Sequence, residues 1–340
     1  GKIPDDKIAG SYGSATIEEL KNELLIMKGD LFNRKLVNES STNMTKKLGN
    51  YGYAFANVNA VPTIDKIKNV VDFDFYIEPG KKIYVRRINI VGNEKTKDKV
   101  IRREMRQFES SWFSQEKVDR SKTRLTRTQF FDRVDIETPG VAGVPDQIDI
   151  NVKVEERSTG QVNIGAGVSS SEGLVGTFGV SQANFLGTGN NISTSISTGN
   201  INKTYSLAFT DPYFTDDGVS RGFSIYRKDV NTKELGTGTY DTSSYGLGLN
   251  FGVPLNEKDV ITFGGTFDMT DLKLGGNAPQ GYKDYCSSVS NITALNCSSD
   301  SLIFYTGFTS DSRDNIIQPN NGKKYSITAD VSAPVLDMQY

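Results

Sequence analysis

Histidine is absent from this chain of 340 residues. Ser-His-Asp triads, His-ligated metal centres and imidazole proton shuttles are therefore excluded. Cysteine is scarce: Cys286 and Cys297 are the only two, both in one Asn- and Ser-rich stretch. Such a pair suits a local disulfide in an oxidising compartment, with two free thiols as the alternative. No run of about 18 apolar residues occurs, which excludes a transmembrane helix. Transmembrane strands stay open, because each needs only about 9–11 residues. A charge excess is lacking too: 39 Lys and Arg against 41 Asp and Glu give −2, without the basic footprint of nucleic-acid binding. No Gly-rich phosphate loop precedes a helix. Asp211, Asp216 and Asp217 share a turn, which they more simply order than offer to Ca²⁺. Neither an enzyme nor a metal or cofactor site is expected.

What is present changes character near Arg157. Residues 1–157 hold 28 Lys/Arg, 24 Asp/Glu and 10 Gly, whereas residues 158–340 hold 11, 17 and 23. The back part alternates apolar with small polar residues: Tyr245, Leu247, Leu249 and Phe251 are interleaved with Ser244, Gly246, Gly248 and Asn250. A water-soluble β-sandwich also alternates, but its solvent face carries Lys and Glu. Here the second face is Gly, Ser, Thr and Asn, as in a membrane barrel with a polar lumen. Strands are expected near 161–168, 173–185, 190–199, 203–211, 219–230, 240–252, 259–270, 301–310 and 324–333, with a tenth starting at Val335–Tyr340. Tight turns are expected at 186–190, 211–218 and 254–259, and long ones at 231–239 and 271–300, the last facing outside. In lipid an unpaired strand edge is costly, so this set is expected to be part of a longer closed barrel.

The front part contains a repeat. Val71–Glu78 and Ile148–Glu155 are the same alternating strand, 77 residues apart. Thr16 and Glu19 form a capping box, followed by helical spacing towards Met27. A second helix is expected from about Asn33 to Lys47, stopped by Gly49. The second copy opens with a strand at 83–91 and a Gly92-Asn93 turn. Helices near 97–107 and 114–128 follow, then strands near 134–138 and 147–155, giving the order β-α-α-β-β. Gly1–Gly13 offers neither an opening strand for the first copy nor a signal-peptide core, so the N-terminus is expected to be a truncation. The expected domains are residues 1–80 (partial repeat), 81–157 (complete repeat) and 158–340 (N-terminal portion of an outer-membrane barrel).

These segments carry a resemblance. Tyr51-Gly52-Tyr53-Ala54, Tyr84–Ile88 with Gly92-Asn93, and Arg102-Arg103-Glu104-Met105-Arg106-Gln107 resemble the last two POTRA domains of the BamA family. Leu186–Asn190 and Asp211-Pro212-Tyr213-Phe214 resemble its first two periplasmic turns. Asp311, Arg313 and Asp314 with Pro319 and Gly322 resemble a turn found throughout the superfamily. The match runs from about Ile17 to Tyr340; the Val-Arg-Gly-Phe type motif of the family's lumen loop is absent and is expected to lie beyond Tyr340.

The resemblance implies α+β POTRA repeats in the periplasm followed by part of an antiparallel barrel in the outer membrane. It also implies assembly of outer-membrane proteins, with unfolded clients, periplasmic lipoproteins and outer-membrane lipid as partners. A secretion channel of the same superfamily, such as TamA or a two-partner secretion pore, is the alternative. Arg102, Arg103, Arg106 and Glu109 are the implied lipoprotein docking face; a solvated helix is the plain alternative. The repeats could also be rigid spacers. Gln161, Val162, Asn163, Ile164, Gly165, Ala166, Gly167 and Val168 form the implied lateral gate, where an edge could template a client strand. Gly165 and Gly167 alone fit curvature equally well.

Overall fold

The computed structural model describes residues 16–232, 239–289, 295–313 and 318–333. The expectations for Gly1–Gly13 and for a strand from Val335 fall outside these residues. Two compact units divide at Arg157 and Ser158.

In the first unit, α1 (Ile17–Lys21) and α2 (Arg34–Asn50) precede β1 (Asn57–Asp65) and β2 (Val70–Glu78). Thr16 caps α1: its Oγ1 accepts the Glu19 N–H at 3.2 Å, while the Glu19 carboxylate accepts the Thr16 N–H at 3.0 Å. The helix ends well short of Met27. Side chains compete for the later amides: Leu25 N–H donates to Ser40 Oγ and Met27 N–H to the Asp30 carboxylate, each at 2.8 Å. Gly49 does not stop α2. It lies within the helix at a close approach, where an added Cβ would stand 3.1 Å from Gln115 Cβ; Gly52 (φ +99°) takes the left-handed position instead.

β1 was not expected, because Pro62 and two asparagines break its alternation. It pairs antiparallel with β2 from Asn57↔Glu78 to Asp65↔Val70. An edge strand tolerates such a proline. Leu20, Val37, Met44, Leu48, Val58 and Phe75 form the core between helices and hairpin.

The second repeat runs β3 (Tyr84–Val91), α3 (Asp98–Arg102), α4 (Gln115–Arg127), β4 (Phe131–Glu137), a short β5 (Gly140–Val141) and β6 (Val144–Glu156). β6 is central, parallel to β3 and antiparallel to β4. The helical crossover is what a parallel pair requires. Ile148, Ile150 and Val152 are wholly buried on β6. Gly92 (φ +90°) sits so close to β6 that a Cβ would stand 2.0 Å from the Val154 oxygen, so no other residue fits. The expected helix over 97–107 is only α3, and the chain then proceeds in turns.

The second unit is one antiparallel sheet of nine strands in sequence order: β7 (Gly160–Ser169), β8 (Gly173–Phe185), β9 (Asn190–Thr198), β10 (Asn202–Asp211), β11 (Ser220–Asn231), β12 (Tyr240–Pro254), β13 (Asp259–Leu274), β14 (Asn296–Asp311) and β15 (Lys324–Ala333). Among the described residues the sheet is open, with β7 and β15 at its edges. Leu207, Ile225, Leu247, Leu249 and Phe263 lie on the exposed apolar face. The other face carries Ser195, Ser206, Gly248 and Thr266, and there Tyr226 hydrogen-bonds Asp268 across the intervening Gly246.

Turn lengths do not alternate strictly. Residues 170–172 and 199–201 are tight at the same end as the long 232–239 and 275–295 connections, and the 312–323 connection is long at the other. The expected 271–300 loop is shorter, because β13 and β14 extend into it. It contains α5 (Gln280–Val289), joined to β14 by the Cys286–Cys297 disulfide.

Candidate functional site: an open strand edge and a closed one

Strand β7 pairs only with β8 among the described strands, in register from Gly160↔Gln182 to Ser169↔Gly173. Ala183 N–H donates to the Thr159 oxygen, which sets the parity of the ladder. Backbone groups of odd-numbered residues in β7 point to β8, and those of Gly160, Val162, Ile164, Ala166 and Val168 point away from it. Gln161–Val168 therefore lie on one strand whose alternate amides and carbonyls point to the side away from β8.

The side chains are also unconfined. Val162, Ile164 and Val168 are 62, 79 and 87% exposed. The two glycines differ: a Cβ on Gly167 would meet nothing within 4 Å, whereas one on Gly165 would meet the Thr177 hydroxyl at 2.5 Å. Gly165 fits closely against its neighbour, while Gly167 leaves open space on the strand.

The second repeat shows the opposite treatment of an edge. The outer side of β3 is covered by residues 109–113. Val85 N–H donates to the Ser111 oxygen at 3.0 Å, Ser110 N–H to the Val85 oxygen at 2.8 Å, and Phe113 N–H to the Ile83 oxygen at 3.0 Å. Further along, two side chains replace backbone. Glu109 accepts the Ile88 N–H at 2.8 Å, Arg102 donates to the Ile88 oxygen at 3.0 Å, and the two side chains pair at 3.4 Å. Together they satisfy both outward groups of Ile88.

The three arginines do not share one helix face. Only Arg102 belongs to α3. Arg103 is its C-cap, 13% exposed in its side chain and 4.0 Å from Glu104, which also pairs with Arg124 at 2.8 Å. Arg106 lies in the following turn, its N–H donating to Ser121 Oγ at 2.8 Å. Arg102 and Glu109 come together on the surface; Arg103 is directed into the domain. Phe108, Trp112 and Tyr84 are exposed as well, with the Tyr84 and Trp112 rings stacked 3.7 Å apart. Exposed Trp, Tyr and Arg are residue types enriched among interface anchors. The chain's single Trp was the signal for this patch in the sequence.

Glu19 and Asp149 are among the carboxylates of the repeats held below their usual range. For Glu19 the main cause is the Thr16 N–H, followed by the Tyr51 hydroxyl, which donates at 3.0 Å. For Asp149 it is the Arg86 guanidinium, bound by both nitrogens at 2.8 and 2.5 Å.

The superfamily-like turn is internally bonded. Arg313 donates to the Asp311 carboxylate through Nε at 2.9 Å and Nη2 at 2.6 Å. Ser312 and Lys323 close it, and Gly322 (φ +102°) lies against the Ser312 carbonyl. Pro319 is exposed within it; Asp314 lies outside the described residues.

Residues 12–80 and 83–157 match the POTRA family, described as a surface antigen variable number repeat, and residues 184–339 match the Omp85 superfamily domain. The outer membrane protein assembly factor BamA of Neisseria meningitidis serogroup B is 33% identical over 344 residues, covering 100% of this chain and 43% of that protein. The BamA of Neorickettsia risticii is 31% identical over 278 residues, covering 81% and 37%. The crystal structure of BamA from Haemophilus ducreyi lacking POTRA domains 1–3 superposes with a TM-score of 0.73 at 30% identity, covering 93% of this chain and 62% of that one. The chain thus spans less than half the length of these two curated relatives. Its barrel strands belong to the outer membrane and its repeats to the periplasm. With tandem POTRA repeats leading into an antiparallel Omp85 sheet, the chain belongs to the BamA family of the Omp85 superfamily.

Proposed function

We propose that this chain is part of an assembly factor that folds and inserts outer-membrane proteins, with β7 as the edge on which a client strand is templated. The observation that carries this is the backbone of β7, whose even-numbered residues point away from β8. A client strand entering there gains main-chain hydrogen bonds whatever its side chains, which suits a factor serving many clients. No covalent chemistry is needed; the folding free energy of the client drives insertion.

The surface around Arg102, Glu109, Phe108 and Trp112 is the proposed docking face for periplasmic lipoproteins, with Arg103 and Arg106 shaping it from beneath. The covered β3 edge supports docking by side chains there in preference to strand addition. The test is disulfide capture. Cysteine at Val162 should crosslink a stalled client at one register of its terminal strand, with the native pair kept in its own disulfide. Indiscriminate crosslinking along the client, or none, would refute templating.

A further inference from the structure

The outward face of the sheet carries a row of paired residues, Tyr205, Arg227 and Tyr245, across β10, β11 and β12. The Arg227 guanidinium lies 5.1 Å from the centre of the Tyr245 ring. One register step toward the ends of the strands, Lys203 pairs with Asp229, whose carboxylate takes the Arg227 Nε at 3.0 Å. Two cavities meet at Tyr205. One, of about 610 Å³, is lined by Lys203, Asn200, Asn231, Thr198 and Leu174. The other, of about 540 Å³, runs along Leu207, Ile225 and Leu247 on the apolar face. The chain enters β7 from the periplasmic repeats, so the starts of β8, β10 and β12 mark the outer end of the sheet. The row is therefore at the outer interface, the level at which barrels place aromatic residues.

We propose that these two cavities form a binding site for a phosphorylated glycolipid of the outer leaflet, of the lipid A type. An acyl chain would lie along Leu207, Ile225 and Leu247. A phosphate would sit between Lys203 and Arg227, where charge-assisted hydrogen bonds are strong. Asn200, Asn231 and Thr198 supply amides and a hydroxyl for sugar hydroxyls, a feature that a phosphate site alone does not need. Asp229 faces the pair, and it holds Arg227 on the Tyr245 ring while leaving the other guanidinium nitrogens for the ligand. The proposal rests on the outer-membrane placement and is independent of how β7 acts.

The test uses the full-length protein in detergent, equilibrated with bis-phosphorylated lipid A, dephosphorylated lipid A or phosphatidylglycerol and analysed by native mass spectrometry. Lipid A should be retained at least tenfold better than either of the others. The Lys203→Gln, Arg227→Gln double variant should lose at least tenfold of that retention, and Lys258→Gln in the opposite turn none. Folding is checked by heat-modifiable gel mobility, and the dephosphorylated lipid tests the idea on the unaltered protein should the variant not fold. Client assembly, measured separately, distinguishes failure of this site from failure of the templating mechanism. Equal retention of phosphorylated and dephosphorylated lipid A, of phosphatidylglycerol and lipid A, or by wild type and the double variant, would overturn the proposal.

Discussion

Proline scanning of β7 tests the templating edge through its parity. Ile164 and Ala166 direct their amides away from β8, whereas Gly165 and Gly167 direct theirs toward it. Proline removes the amide hydrogen and fixes φ, and is tolerated at a strand edge but not inside a ladder. The Ile164→Pro, Ala166→Pro double variant should therefore keep β7 on β8 while removing two of the donors offered to a client. At about 0.5–1.5 kcal/mol net for each hydrogen bond, the loss is about 1–3 kcal/mol. At about 1.4 kcal/mol per factor of ten, client assembly should slow by about 5- to 150-fold if these bonds form in the limiting step. The Gly165→Pro, Gly167→Pro variant should instead break the β7–β8 ladder and lower the barrel's own melting temperature. Client folding in proteoliposomes reports the first effect and heat-modifiable mobility of the assembly factor the second. Wild-type assembly rates from the first variant would refute a role for the β7 amides that point away from β8.

Other outcomes follow from the same contacts. Glu109→Lys removes the acceptor for Ile88 N–H and repels Arg102, so it should cut lipoprotein capture at least tenfold with the barrel still folded. Glu109→Gln keeps an acceptor and should fall between that variant and wild type; capture of the intact partner set by Glu109→Lys would count against this face. Gly246→Val would push the Tyr226 ring off β12 and should destabilise the barrel by about 1–3 kcal/mol, read from urea midpoints. Peptides from the non-reduced protein should carry Cys286 joined to Cys297, and recovery of both as alkylated thiols would contradict it. The Glu19 carboxylate is held below its ordinary range by Thr16 and Tyr51, so its contribution to the first repeat is present above the unfolded carboxylate pKa and is lost as pH falls through the folded value. Acid unfolding of Glu19→Gln should accordingly show a weaker pH dependence than wild type, and identical profiles would remove that role.

Much of this protein was legible in its sequence because strand period, turn chemistry and caps are local. The alternation over Tyr245–Phe251 specifies a strand with one apolar face whatever its neighbours, and the Thr16/Glu19 box spans only four residues. The match to POTRA and barrel segments follows from the same local motifs. Where pairing decided the outcome, the sequence alone fell short. β1 contains Pro62 and is a strand because β2 supplies its partner. Gly49 lies inside α2 and serves the close approach of Gln115, where a Cβ would have little room, rather than a helix end. Arg102 and Glu109 look like free surface charge until β3 folds back beneath them, since Ile88 is 14 residues from one and 21 from the other. The meaning of β7 likewise rests on its register with β8, which decides which amides are used and which are left along the edge. Side-chain period is written residue by residue. The satisfaction of backbone groups depends on residues far apart in the chain, and only the tertiary structure brings them together.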